Sequence, residues 1–184
     1  KIKVVCCGGS GTMVANLLEG QENIDVCLIN SDRASLKISK VQNKILIGNT
    51  GLGCGGDIER AKEYAKSSIN EFKDMLKDTD VVFITTGMGG GTGSAIAPVI
   101  AKLAKDFGAK AVVAIGGGSP IDAGKSVAIL LEYPEKTAND IYEFTFAPDK
   151  AAPVVAINLT HGTGTETNRF AVVTVPEKDF KPAI

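Results

Sequence analysis

Apolar residues come in short bursts along the chain, and the spacing inside each burst alternates between two kinds. Lys1–Cys7, Ile24–Ile29, Lys44–Ile47, the run from Asp80 to Thr86, Ala111–Ile115 and Pro153–Leu159 are brief, nearly continuous apolar runs rich in β-branched residues. Such runs read as strands buried on both faces. Between them the apolar positions space out at helical intervals. Thr12–Leu18 reads as helical, and Asp57 is a good N-cap for a long amphipathic helix to about Lys77, with Ile58, Ala61, Tyr64, Ala65, Ile69, Phe72 and Leu76 on one face. A helix starting near Ser94 runs from Ala95 to Phe107 through Ile96, Val99, Ile100, Leu103 and Ala104, and another spans Gly124–Leu131. Ala138–Phe146 reads as short helical or irregular structure. Phe170–Val175 pairs as a hairpin with the segment ending at Ile184, confined to an edge by Pro176 and Pro182.

Strands alternating with helices imply an α/β fold, a three-layer Rossmann-like arrangement on a mostly parallel sheet. Right-handed crossovers then give about six strands in the order 3-2-1-4-5-6, with a C-terminal hairpin at one end. A chain of 184 residues suits a single such domain, 1–184.

Glycines punctuate this pattern where strands hand over to helices. Gly8-Gly-Ser-Gly11 follows the first strand, and Gly87-Met-Gly-Gly-Gly-Thr-Gly-Ser94 follows the fourth. At a strand-to-helix junction, glycines let an anion approach the backbone, and the helix start supplies free N–H groups and the positive end of its dipole. Gly8, Gly9, Gly11, Gly89, Gly90, Gly91, Thr92 and Gly93 are therefore candidate phosphate ligands. Asp32, just past the second strand, reads either as a ribose ligand or as a helix N-cap. Gly48–Gly56 contains five glycines and reads as a further loop of this kind or as a flexible connector.

The Gly87–Ser94 run resembles the signature loop of the tubulin and FtsZ superfamily, which grips the phosphates of GTP. Gly8–Gly11 is similar to the first glycine loop of that family, although Thr12 and Met13 stand where an asparagine usually follows. Asn30-Ser-Asp32 resembles its Asn-Thr-Asp, which favours the ribose role for Asp32, and Gly48–Gly56 resembles the loop that senses the terminal phosphate. This resemblance is continuous over residues 1–115.

From Gly116 onward the likeness changes. Gly116-Gly-Gly-Ser-Pro-Ile-Asp-Ala-Gly-Lys125 and Val154–Glu166, with Arg169–Thr174, resemble the NAD(P)-binding half of the iron-dependent (group III) alcohol dehydrogenases over roughly 111–184. That resemblance implies a second phosphate site at Gly117, Gly118, Ser119, Asp122, Thr160 and Thr163. The strand Ala111–Ile115 fits either family and is the natural seam between a 1–115 half and a 116–184 half.

Both likenesses stop short of catalysis. The guanine-facing helix and water-activating loop of the first family are missing, as is the iron-binding helical domain of the second. Asp122 and Lys125 could be imagined as an acid/base pair but read better as a cap and a helix-surface lysine. The expected protein is thus an engineered chimeric nucleotide-binding domain, not an enzyme, with weak GTP or GDP binding. The alternatives are a folded scaffold without a ligand and residual NAD(P) binding, with NAD(P) ranking behind guanine nucleotide.

Composition narrows the rest. A net charge of −1 with dispersed Lys and Arg argues against a nucleic-acid binder. Cys6, Cys7, Cys27 and Cys54 form no CxxC pair and His161 is the sole histidine, so no metal is expected. Cysteines in predicted strands usually act as small buried hydrophobes and suit a reducing compartment. No leader is visible and no apolar run reaches the ~18 residues of a membrane span, so the reading is a soluble, cytoplasmic protein without a membrane role. Nucleotide is the one partner expected, with no filament formation.

Overall fold

The computed structural model describes residues 1–87, 91–137, 140–141, 143–158 and 162–172, and the chain forms two compact units, Lys1–Phe107 and Gly108–Ile184. In the first unit the strands are β1 (Ile2–Cys7), β2 (Ile24–Asn30), β3 (Asn43–Leu46) and β4 (Val81–Thr86). The helices are α1 (Gly8–Leu18), α2 (Arg33–Ile38), α3 (Ile58–Ser67), α4 (Ile69–Leu76) and α5 (Gly91–Asp106). The second unit holds β5 (Val112–Gly116), α6 (Gly118–Glu132), β6 (Val154–Asn158) and a 3₁₀ turn at Thr165–Thr167.

The expected strand order is found in two runs, a parallel four-stranded sheet β3-β2-β1-β4 and a parallel pair β5-β6. Alternation along β1 explains the layering. Val5 and Cys7 face a core with Cys27, Ile29, Phe72, Leu76, Ile96 and Ile100, so α3, α4 and α5 cover that side. Val4 and Cys6 face the other way, with Val26, Leu28 and Leu36, under Ala15 of α1. A stretch of strand buried on both faces is apolar, which is why Val4–Cys7 of β1 and Val26–Ile29 of β2 read as continuous runs. In the second unit Ala128 and Leu131 of α6 pack with Ala152 against Val112 and Val154.

Four boundaries differ from the sequence reading. Helix α1 starts at Gly8 instead of Thr12, α5 at Gly91 instead of near Ser94, and α6 at Gly118 instead of Gly124. Glycine disfavours helix interiors, but in a first turn the amides need no helical partner, so the glycine runs can belong to the helix. The long helix expected to run to Lys77 is two helices that break at Ser68, whose N–H is shared between the Tyr64 and Ala65 carbonyls. The hydrophobic period continues across the break because both helices lean on the same face of the sheet, with Ala65, Phe72 and Leu76 in one core. The expected hairpin from Phe170 to Ile184 falls almost wholly outside the described residues.

Candidate functional site

Strands β1 and β4 are hydrogen-bonded neighbours with Cys7 opposite Thr86, so the chain leaves both strands at the same carboxyl edge. Helix α1 begins at Gly8 and α5 at Gly91, and the two helix starts open into one cavity of about 220 Å³. Gly8, Gly9 and Ser10 line it from one strand, and Gly87, Gly91, Thr92 and Gly93 from the other. Two converging helix N-termini place unpaired amides and two positive dipole ends on one spot, which favours an anion. The volume lies below the ~300–1,000 Å³ of whole-ligand pockets and suits a phosphate or diphosphate group with the remainder of a ligand outside.

Thr86 secures the floor by donating its hydroxyl to the Cys7 and Gly87 carbonyls at 3.3 and 3.4 Å. Thr12 Oγ1 donates to the Gly8 carbonyl at 3.0 Å and accepts from Asn30 Nδ2 at 3.3 Å, tying the first turn of α1 to the end of β2. Cys7 lines the cavity, yet burial pushes its thiol far above the ordinary range, reinforced by Cys6 and Cys27, and leaves it no nucleophile. No carboxylate, lysine or histidine lines the cavity among the described residues. The arrangement can hold an anion.

Of the expected phosphate ligands, Gly8, Gly9, Gly91, Thr92 and Gly93 line this cavity, whereas Gly11 is absent from its lining and lies under α1 against β1. Gly89 and Gly90 lie outside the described residues. Asp32 is not part of the lining; it caps α2, accepting from Ala34 N at 2.9 Å and Ser35 Oγ at 2.6 Å. Those two bonds, Ser35 first, hold its carboxyl below the usual range. The Gly48–Gly56 loop is stitched beside it by Arg33 N to Gly51 O at 2.9 Å and Gly53 N to Ser31 O at 3.0 Å.

Sequence reasoning missed Ser10, Ser31 and Cys54. Ser10 was visible inside the first glycine run. Ser31 Oγ stands 2.8 Å from Thr92 Oγ1, and Cys54 Sγ donates to Ser31 Oγ at 3.2 Å, a set of partners distant in sequence.

A second cavity of about 280 Å³ in the second unit is lined by Gly118, Ser119, Asp122 and Thr163, closed by Thr165, Asn168, Phe170 and Val172. Gly117 is the N-cap of α6; Thr160 lies outside the described residues. Asp122 and Lys125 correct the expectation of a cap and a surface lysine. Asp122 is the fifth residue of α6, 7% exposed, and its carboxylate accepts from the Thr165 hydroxyl, from Val172 N at 3.1 Å and from Lys125 Nζ at 3.3 Å. Lys125 Nζ also donates to Thr165 Oγ1 and the Phe170 carbonyl, both at 2.6 Å. Together they tie α6 to residues 165–172.

Among the described residues no three His, Cys, Asp or Glu side chains gather where they could hold a metal ion. No helix among the described residues is long and apolar enough to cross a membrane.

Comparison with known proteins finds two families along the chain. The family model described as Tubulin/FtsZ family, GTPase domain, matches residues 1–116, and that described as Iron-containing alcohol dehydrogenase matches 61–184. The second match starts well before the expected seam and overlaps the first. Long-chain primary alcohol dehydrogenase AdhA of Thermoanaerobacter ethanolicus is 67% identical over 84 residues, 46% of this chain and 21% of the relative. Cell division protein FtsZ 2 of Halobacterium salinarum is 42% identical over 135 residues, 69% of this chain and 34% of the relative. The chain thus spans about a fifth to a third of the curated relatives it matches. Among solved structures, an empty FtsZ dimer from M. jannaschii superposes with a TM-score of 0.59 at 39% identity, covering 72% of this chain and 41% of that one. A TubZ protofilament from bacteriophage PhiKZ, at 20% identity and TM-score 0.60, covers 90% of this chain and 51% of that one and shares the fold.

Proposed function

Because the chain belongs to the tubulin/FtsZ family over residues 1–116 and to the iron-containing alcohol dehydrogenase family over residues 61–184, we propose that it is an engineered chimeric domain that binds guanine nucleotide without turning it over. One observation carries the binding half of this reading: α1 and α5 both start in the cavity at the carboxyl edge of β1 and β4. The phosphates of GDP or GTP sit there, against the amides of residues 8–10 and 91–93 and the Thr92 hydroxyl. Gly89 and Gly90, of the same glycine run, are further phosphate ligands in this reading, and Asp32 serves the ribose from outside the cavity. Weak affinity is expected, because the match to the first family stops at residue 116.

The lining supports the absence of turnover in this reading. A hydrolytic step needs a group to orient or deprotonate water, and the described lining offers amides, hydroxyls and a thiol held protonated. Iron, implied by the second family's name, finds no ligand set among the described residues, and no chemistry is assigned to it. Filament assembly is likewise not expected of this chain.

A second reading rests on the other cavity. The start of α6 with Ser119 and Thr163 suits a dinucleotide pyrophosphate, so residual NAD(P) binding ranks behind guanine nucleotide. Calorimetric titration with GDP, GTP, NAD and NADP separates the readings. Heat with GDP and GTP at high micromolar to millimolar ligand supports the first, and heat with NAD or NADP alone supports the second. Silence with all four leaves a folded scaffold. A natural genome carrying this reading frame intact would overturn the engineered origin.

A further inference from the structure

Three segments far apart in sequence meet beneath Thr92. Ser31 at the end of β2 is 1% exposed and Cys54 in the glycine-rich loop is 4% exposed, while Thr92 lines the cavity from the first turn of α5. Cys54 Sγ donates to Ser31 Oγ at 3.2 Å, Ser31 Oγ and Thr92 Oγ1 are 2.8 Å apart, and Cys54 Sγ lies 3.5 Å from Thr92 Oγ1.

The protons of such a trio have few arrangements. A thiol and two hydroxyls carry one proton each. With the Cys54 proton given to Ser31, the buried Ser31 proton goes to the Thr92 oxygen, its other partner. The Thr92 proton is then left for the Cys54 sulfur, a weak acceptor 3.5 Å away, or for the cavity. An anion there draws that proton outward and enforces the same order back along the chain, each bond polarising the next.

We propose that Ser31 is a positioning residue for the phosphate site: it turns the Thr92 hydroxyl into a donor aimed at the bound anion and locks the Gly48–Gly56 loop to the start of α5. This rests on the reading of the first cavity as a phosphate site. It also makes the Cys54 thiol a reporter of that site, because anion binding holds its proton in the bond to Ser31.

The test uses the full chain with the substitutions Ser31→Ala, Ser31→Thr, Cys54→Ala and Thr92→Val, GDP as ligand and a small maleimide as thiol probe. Ser31→Ala weakens GDP binding about tenfold, the loss of one well-formed hydrogen bond with its partner stranded. Ser31→Thr keeps most of the affinity. Cys54→Ala costs only about two- to threefold, because Ser31 can still donate to Thr92. In a double-mutant cycle Ser31→Ala adds nothing to Thr92→Val, whereas a purely structural serine would add its own penalty. GDP slows maleimide labelling of Cys54 in the parent protein and does not in the Ser31→Ala variant. Equal GDP affinity of parent and Ser31→Ala, or additive losses in the cycle, overturns the proposal while the phosphate reading stands. No heat with GDP in the parent protein defeats the phosphate reading and takes this role for Ser31 with it. If Ser31→Ala fails to fold, the small effect of Cys54→Ala and the retained affinity of Ser31→Thr decide instead, and a large loss in either counts against the proposal.

Discussion

Gly11 of α1 lies directly on Cys6 of β1, so close that a Cβ at position 11 would stand 2.7 Å from the Cys6 carbonyl carbon and 3.3 Å from the Thr85 carbonyl oxygen. Both neighbours are strand backbone and cannot rotate away. The last glycine of Gly8-Gly-Ser-Gly11 therefore serves helix-to-sheet packing, while Gly8 and Gly9 face the cavity. Gly11→Ala should destabilise the protein by about 1–3 kcal/mol, the usual cost of overpacking a close contact. Gly9→Ala meets nothing within 4 Å and should leave stability within about 0.5 kcal/mol. Thermal unfolding of the two variants checks the contrast, and equal losses would refute it.

Much of this geometry could be read from the sequence because it is local. Both faces of β1 are buried from Val4 to Cys7, so that run is apolar throughout, and each glycine cluster sits where a strand turns into a helix. The six-residue α2 was too short for a period, with Leu36 its only buried residue, although Asp32 advertised a cap. Other features were invisible because they depend on distant partners. Ser31 meets Thr92 across 61 residues, and Asp122 meets Thr165 across 43. A lysine two turns into an amphipathic helix looks solvent-facing until the segment that covers it is known.

Lys3 and Asp25 make the first unit sensitive to acid. Asp25 Oδ2 lies 2.6 Å from Lys3 Nζ, which is almost wholly buried, and 3.7 Å from Lys1 Nζ, while Asn43 Nδ2 donates to Oδ1 at 2.9 Å. Burial pushes the Asp25 carboxyl up, but the hydrogen bond and charge of Lys3, with Lys1 and Asn43, outweigh it and hold it below the ordinary value. A depressed folded pKa gives stabilisation that is complete above the unfolded value near ~4 and is lost as pH falls through the folded value. Asp25→Asn should cost about 2 kcal/mol at pH 7, discounted from the full penalty of breaking a buried pair because Asp25 is partly solvated. Urea unfolding at pH 7 and pH 3 should show the gap between parent and variant shrinking in acid; a gap of constant size would contradict the assignment.

The strand cysteines should be silent toward thiol reagents in the folded protein. Burial pushes the Cys6 thiol up to about 12 and Cys27 up to about 11, and Cys7 still higher. All three are buried, so thiolate and access are lacking together. Maleimide at pH 8 should label them only as fast as the first unit unfolds, and addition of denaturant should release all three at once. Rapid native labelling at Cys6 or Cys27 would mean that the β1–β2 core opens on its own.

Lys125 tests what holds the second unit together. Its side chain is 14% exposed, and its ammonium joins Asp122, Thr165, Asn168 and the Phe170 carbonyl, so it neutralises a buried carboxylate and ties residues 165–170 to α6. Lys125→Met keeps the aliphatic stem but leaves Asp122 buried with only the Thr165 hydroxyl and the Val172 amide as donors. Removing one partner of a buried pair strands the other charge, and the expected loss is about 3 kcal/mol, with hydrogen-exchange protection falling at Thr165 and Val172. Adding Asp122→Asn removes the stranded charge while preserving a hydrogen-bonding side chain, so the double variant should be more stable than Lys125→Met alone. That sign separates charge compensation from packing, because a lysine that mattered only for its stem would leave the two changes additive.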